Sequence, residues 1–316
     1  MAKSLIDEKP TQVRLIVTCS NRKTNPIPDS YRLRAVAGAT LAARLRSWIE
    51  LLAKALEPPT SARHLYAGEH WSVARSVGDS INSGIRVDLW VCSAGYGLIP
   101  DSAPIVPYAA TFSTGQADSV PCGAKGATAW WNGLSDWEGP VGGVRSLTDL
   151  IGIDRSARVL LVLSEAYLKA CRADISRSLN TLTSSKRLSI ISAGAKLTGD
   201  LREFQLPSDA RLQAVFGGSL QALNIRTVDH LLSAGIADHD EMSETLKKML
   251  ADAPKLIRYG RLTATDSEVL AFIRAQLLAN PRVSRTSLLR EFRSGNRACE
   301  QARFANLFEI ESRASL

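Results

Sequence analysis

Short apolar stretches that alternate with segments of helical periodicity constrain this chain more than any other feature. Val13 to Thr18, Val87 to Cys92, Arg158 to Leu163 and Leu188 to Ser192 read as buried strands. Tyr31 to Leu56 reads as a long amphipathic helix stopped by Pro58-Pro59, and Glu165 to Leu182 as the helix between the third and fourth strands. Strands of this kind, alternating with helices, predict an α/β fold: a mainly parallel sheet with helices on both faces. In such sheets ligands bind beyond the carboxyl ends of the strands. The segments to inspect are therefore Cys19 to Lys23, Ser93 to Pro100, Ser164-Glu165 and Ser192 to Lys196.

Composition removes several classes of function. With 316 residues and 45% hydrophobic content, the chain can build one large or two moderate domains. No apolar stretch approaches the roughly 20 residues of a membrane-spanning helix, and residues 1 to 12 lack a signal-peptide hydrophobic region. A cytoplasmic protein with no membrane partner is expected. The five cysteines, Cys19, Cys92, Cys122, Cys171 and Cys299, form no C-x-x-C pair, and the four histidines have no ligand spacing, so neither a disulfide framework nor a metal site is expected. Gly95-Tyr96-Gly97-Leu98-Ile99-Pro100 puts proline where a dinucleotide fingerprint needs glycine, and Ser192 to Lys196 lacks P-loop spacing. No cofactor is expected. Asp29, Asp101, Asp149 and Asp154 have no spacing diagnostic of a metal-dependent nuclease.

Residues 1–252 read as the α/β domain, with Ser219 to Leu232 and Glu241 to Leu250 as helices late in it. Between Ala109 and Arg145, seven glycines, Trp130-Trp131 and Trp137 suggest an insertion or lid, whose tryptophans either anchor it to the core or stack on a base. Residues 253–316 read as a small helical unit. The net charge of +8 is concentrated late, with twelve Lys and Arg from Lys248 to Arg313, Arg258, Arg261 and Arg282 among them.

The stretch RVSRTSLLREFRSGNRACEQARFANLF splits into a helix from about Ser284 to Arg293, a turn at Ser294-Gly295-Asn296, and a second helix from about Arg297. That is helix-turn-helix order, with Leu288, Leu289 and Phe292 facing Phe304, Leu307 and Phe308. In that arrangement Asn296, Arg297, Glu300 and Gln301 approach base edges, while Arg285, Arg290, Arg293 and Arg303 reach phosphates, making DNA the expected partner. A helical hairpin with exposed arginines is the plainer alternative.

Cys19 has Arg22 and Lys23 close behind it, and neighbouring cations favour the thiolate and hence nucleophilic catalysis. Its other reading is a small residue closing a strand. Cys92 at the second strand's end has the same two readings.

At these two loops, TCSNRKTNPIPDSYR and CSAGYGLIPDSAPIVPY, the chain resembles the archaeosine synthase catalytic domain and, in its Tyr-Gly-Leu and Pro-Tyr elements, the YaaA-like proteins. The shared positions are Cys19, Ser20, Lys23, Ser93, Gly97, Leu98, Ile99, Pro100 and Tyr108. Joined to a helix-turn-helix, this domain resembles the DpdC family of bacterial 7-deazaguanine DNA-modification clusters. The resemblance implies hydration of the nitrile of 7-cyano-7-deazaguanine in DNA to the amide, with other proteins of the same modification system as further partners. It implies catalytic roles for Cys19, Lys23 and Ser93, and substrate contacts from Ser20, Asn21, Arg22, Gly95, Tyr96, Gly97 and Tyr108. The rival expectation is a non-catalytic DNA-binding protein, YaaA-like or regulatory.

Overall fold

The structure is a computed structural model that describes residues 11–79, 84–121, 123–255, 260, 262–281 and 283–314. Residues 1–10, Cys122, Arg258, Arg261 and Arg282 lie outside the described residues. The strands are β1 (Thr11–Thr18), β2 (Thr60–Ser61), β3 (Ile85–Ser93), β4 (Gly97–Pro100), β5 (Pro104–Ile105), β6 (Arg158–Val162), β7 (Leu188–Ile191), β8 (Leu262–Thr263) and β9 (Arg297–Ala298). The helices are α1 (Leu41–Ala53), α2 (Ala62–Leu65), α3 (Glu69–Asp79), α4 (Gly123–Ser135), α5 (Leu147–Ile153) and α6 (Glu165–Leu179). They continue as α7 (Gln213–Phe216), α8 (Leu223–Ser233), α9 (His239–Asp252), α10 (Asp266–Ala279), α11 (Arg285–Ser294) and α12 (Gln301–Ala314). The chain divides into two compact units, Met1–Pro254 and Lys255–Leu316.

In the first unit β1 is the middle of a five-stranded sheet of order β4-β3-β1-β6-β7. It runs parallel to β3 and to β6, and β6 runs parallel to β7; β4 alone is antiparallel. Successive strand side chains point to opposite faces, so the complete burial of Leu15, Ile16 and Val17 in a row requires cover on both. Two packed groups of helices supply it, α1, α4, α5 and α6 in one and α3 with α8 in the other. Arg14 interrupts the apolar run and is nevertheless buried. Its guanidinium donates to the carbonyls of Leu150 and Asp154, oxygens left open where α5 ends, and desolvation lowers its pKa.

The expected helix from Tyr31 is shorter. Residues 29–31 and 33–35 form single 3-10 turns, and α1 starts only at Leu41, where the Thr40 side chain accepts from the Ala43 amide. Tyr31 and Leu33 instead exchange backbone hydrogen bonds with Ala109 at 2.9 Å each, and that pairing overrides helical propensity. Similarly, Ser219 caps a 3-10 turn over 220–222 before α8 begins.

The expected lid contains a core helix. Trp130 and Trp131 on α4 are wholly buried, with indole N–H groups donating to the Ala94 carbonyl and the Asp174 carboxylate. Neither can receive a base by stacking. Gly133, one of the glycines that suggested a loop, lets α4 lie under Leu45 of α1, where a Cβ would come within 2.2 Å of that side chain. The buried Asp174 of α6 also accepts from the Leu147 amide at 2.9 Å and the Thr148 hydroxyl at 3.3 Å, joining α4, α5 and α6 through one carboxylate.

The second unit packs Val269, Ile273, Leu277, Leu288, Phe292, Phe304 and Leu307 into its own core. Ser284 caps α11, but the second helix begins at Gln301, not Arg297. Arg297–Ala298 pairs as β9 with β8, with Leu262 donating to the Asn296 carbonyl at 3.0 Å and Ala264 to the Ala298 carbonyl at 3.1 Å. The pairing needs the chain to reverse at Asn296, whose φ is 58°. The link between α11 and α12 is therefore longer than the three-residue turn expected. Among the described residues no helix is long and apolar enough to cross a membrane.

Replacing Asp174 by alanine leaves the Trp131 and Leu147 N–H groups buried without an acceptor. A loss of about 3 kcal/mol in stability is expected, read from the urea midpoint against the wild-type chain.

Candidate functional site

Chain order runs outward from β1 in two directions, to β3 on one side and to β6 and β7 on the other. The carboxyl ends of β1 and β6 part at this switch point, and loops leaving a sheet there diverge and leave a crevice. A pocket of about 500 Å³ lies at that place.

Thr18 and Cys19 close one wall, followed by Ser20, Asn21 and Arg22; Val162, Ser164 and Tyr167 form the wall beyond β6. The rest comes from Gly68, Glu69 and His70 at the start of α3, Thr111 and Ser113, and Ser219, Gln221 and Asn224 at the approach to α8. The loop after β1 is held open to the pocket by the segment before α3. The Ser20 hydroxyl donates to the Ala67 carbonyl at 2.6 Å, the Ala67 amide to the Arg22 carbonyl at 3.0 Å, and the Thr24 amide to the Leu65 carbonyl at 2.8 Å.

Cys19 is 8% exposed, and its Sγ lies 3.2 Å from the Tyr167 hydroxyl. Burial, and after it the negative charge of an ionised Cys19, pushes the Tyr167 phenol well above its ordinary pKa, so it stays protonated, with its hydroxyl in hydrogen-bond reach of the sulfur. Hydrogen bonds from Ser219 and then Arg226 hold the Glu69 carboxyl below the usual carboxylate range, with Arg226 2.7 Å away. Asn224 accepts from the Ala193 amide at 2.8 Å, which brings the loop after β7 to the pocket's edge. Among the described residues no group of three or more His, Cys, Asp or Glu is placed to hold a metal ion.

Cys19, Ser20, Asn21 and Arg22 therefore share the pocket, whereas Lys23, Ser93, Gly95, Tyr96, Gly97 and Tyr108 do not line it. Most of the latter form a packed layer. The Tyr108 hydroxyl lies 2.6 Å from the Ser93 Oγ and 2.8 Å from the Tyr66 hydroxyl, and Ser93 accepts from the amides of Gly95 and Tyr96. Ser93 and Tyr108 are fully buried, which closes them to a substrate. Gly95 is required by contact with the Tyr108 ring, since a Cβ would come within 2.4 Å of Cε2. Gly97 has a φ of 72°, at a turn clasped by the buried Arg145, which donates to the carbonyls of Tyr96 and Leu98. Tyr96 is buried against Tyr108 and Trp137. Gly95 and Tyr96 belong to the turn that joins β3 to β4, Gly97 is the first residue of β4, and Tyr108 packs against the turn.

The Lys23 ammonium donates to the Ser20 carbonyl at 2.5 Å and lies 4.5 Å and 4.9 Å from the ring centres of Tyr108 and Tyr66. Desolvation lowers its pKa to about 8, while an ionised Cys19 acts in the opposite sense. Cys92, at the end of β3, is fully buried, with its sulfur 4.0 Å from that of Cys171.

In the second unit, three of the expected DNA-contacting side chains are engaged within the unit. Arg303 pairs with Asp266 at 2.5 Å and Arg293 donates to the Cys299 carbonyl at 2.9 Å. The Arg297 guanidinium lies 4.3 Å from the Phe292 ring centre. Arg285, Arg290, Asn296 and Gln301 are exposed, although Arg285 has Glu309 at 3.8 Å.

Tyr167, His70 and Thr111 escaped the sequence reading, having no motif of their own. The only usable signal was position, since Ser164-Glu165 stood among the strand-end segments and Tyr167 follows within a helical turn. Comparison with protein-family models, curated proteins and solved structures finds no match for this chain.

Two consequences can be measured. Gly95→Ala forces a methyl group into the pinned Tyr108 ring and should cost about 2 kcal/mol or more in denaturant-measured stability. Lys23 binds its proton less tightly in the folded chain than in the unfolded chain, where the pKa is about 10.4. Between pH 8 and about 10 the unfolded chain therefore holds more protons, and stability rises with pH. Relative to Lys23→Met, the wild type should gain on the order of 2 kcal/mol across that window in urea melts.

Proposed function

We propose that the Cys19 pocket is the active centre of a DNA base-modification enzyme that hydrates the nitrile of 7-cyano-7-deazaguanine to the amide. The observation that carries this reading is the thiol at the switch-point pocket with a protonated phenol 3.2 Å away. A nitrile carbon accepts a thiol in this way: sulfur bonds to carbon, the nitrile nitrogen takes the Tyr167 proton, and the proton the thiol loses passes to the Tyr167 oxygen. The product is a thioimidate on Cys19. Water then bonds to the same carbon, the carbon–sulfur bond breaks, and the amide leaves with the thiol restored. Lys23 acts from behind the loop, where its ammonium holds the Ser20 carbonyl.

A base in duplex DNA must leave the stack to reach this pocket, at a cost of a few kcal/mol. The volume of about 500 Å³ is ample for one nucleobase. The second unit is assigned the DNA contact as a helix-turn-helix variant in which Arg290, Asn296 and Gln301 face the nucleic acid and Arg297 supports the fold instead.

The burial of Ser93 and Tyr108 favours a second reading, a DNA-binding protein without catalysis, because those expected substrate contacts are closed. Incubation with nitrile-bearing DNA, followed by nucleoside mass analysis, separates the two. The catalytic reading expects the mass of one water added by the wild type and none by Cys19→Ala. The other expects salt-sensitive DNA binding with an unchanged nucleoside.

A further inference from the structure

His70 lines the Cys19 pocket from the first turn of α3, and its histidine ring is tied to the strand that carries the thiol. Nε2 lies 3.2 Å from the carbonyl oxygen of Thr18, the residue before Cys19. A carbonyl only accepts, so Nε2 carries the hydrogen and, in the neutral ring, Nδ1 holds a free lone pair. No hydrogen bond among the described residues reaches Nδ1, and the residue that carries it lines the pocket.

We propose that His70 is the general base of this pocket, its Nδ1 taking a proton from the water that attacks the carbon held on Cys19.

This rests on the nitrile-hydration reading and supplies the step that reading leaves without an agent. The other titratable groups nearby are committed. Tyr167 is kept protonated, Glu69 is held by Arg226 and the Ser219 amide, and Lys23 does not line the pocket. Burial raises the Tyr167 phenol and, acting in the other direction on a cation, lowers His70, so the imidazole is neutral near pH 7. Environments that separate two groups in this way assign an acid and a base. In the step itself, the water oxygen bonds to the thioimidate carbon, one water proton passes to Nδ1, and the other moves from that oxygen to the nitrogen to complete the amide NH2. The imidazolium returns that proton to the departing sulfur as the carbon–sulfur bond breaks. Atoms balance with water as the only co-reactant, and nothing is oxidised or reduced.

The test uses the full chain and an oligonucleotide carrying 7-cyano-7-deazaguanine, with wild type, His70→Gln and His70→Ala compared. Glutamine can still donate an amide hydrogen to the Thr18 carbonyl but supplies no base, so His70→Gln keeps the tether. Amide formation by both variants should fall about 100-fold or more. Intact-mass analysis should show the oligonucleotide joined to Cys19 in both, because attachment precedes the step that needs the base. Turnover by His70→Gln within about threefold of wild type would overturn the assignment. So would loss of both turnover and adduct in a variant with an unchanged melting temperature, since His70 would then act before water attack. A wild type that forms no amide at all overturns the hydration reading itself, a result distinct from either variant outcome.

Discussion

The parallel pairing of β1 between β3 and β6 is the constraint on which the rest of this structure hangs. A central strand has no free edge, so all its backbone groups are satisfied by neighbours and both faces must be covered by apolar side chains. Val13, Leu15, Ile16 and Val17 meet that demand, and the one exception, Arg14, is tolerated because two carbonyls at the end of α5 take its hydrogens. The pairing ends just beyond Thr18, where the Cys19 amide makes a last hydrogen bond to the Cys92 carbonyl of β3. Cys19 stands at that point, which is why its sulfur meets a cavity and not a neighbouring strand.

The chemistry available there follows from unequal desolvation. Burial disfavours charge, which keeps a phenol protonated and an imidazole unprotonated at the same pH. Tyr167 stands 3.2 Å from the Cys19 sulfur, and His70 lines the same pocket. Lys23 shows the cost of such an arrangement. Its ammonium is enclosed by the Tyr66 and Tyr108 rings and one carbonyl, and its proton is held more loosely as a result.

The hairpin of β3 and β4 has a structural role that resembles a binding motif in sequence. Glycines, a serine and tyrosines close together are what a nucleobase site uses, yet the same residues satisfy one another. Ser93 accepts two amides of the turn, Tyr108 lies against Gly95, and Arg145 clasps the carbonyls of Tyr96 and Leu98. A buried polar network of this kind fixes a turn at the strand end next to β1, and thereby the wall behind Cys19.

Alternation of apolar strands and helices was legible directly, because side-chain periodicity and burial are local properties that a short window of residues carries. That reading located β1, β3, β6 and β7 to within a few residues and placed Cys19, Ser20, Asn21 and Arg22 where the pocket lies. Other features depended on partners distant in the chain. Residues 29–35 leave the helix because Ala109 pairs with them, and α12 starts late because residues 262–264 capture Asn296 to Ala298. Trp130 and Trp131 are core residues because Ala94 and Asp174 meet their indoles. Tyr167 and His70 reach Cys19 across 148 and, through Thr18, 52 positions of sequence. No periodicity signals such meetings, since they exist only once the sheet has set the order of its strands.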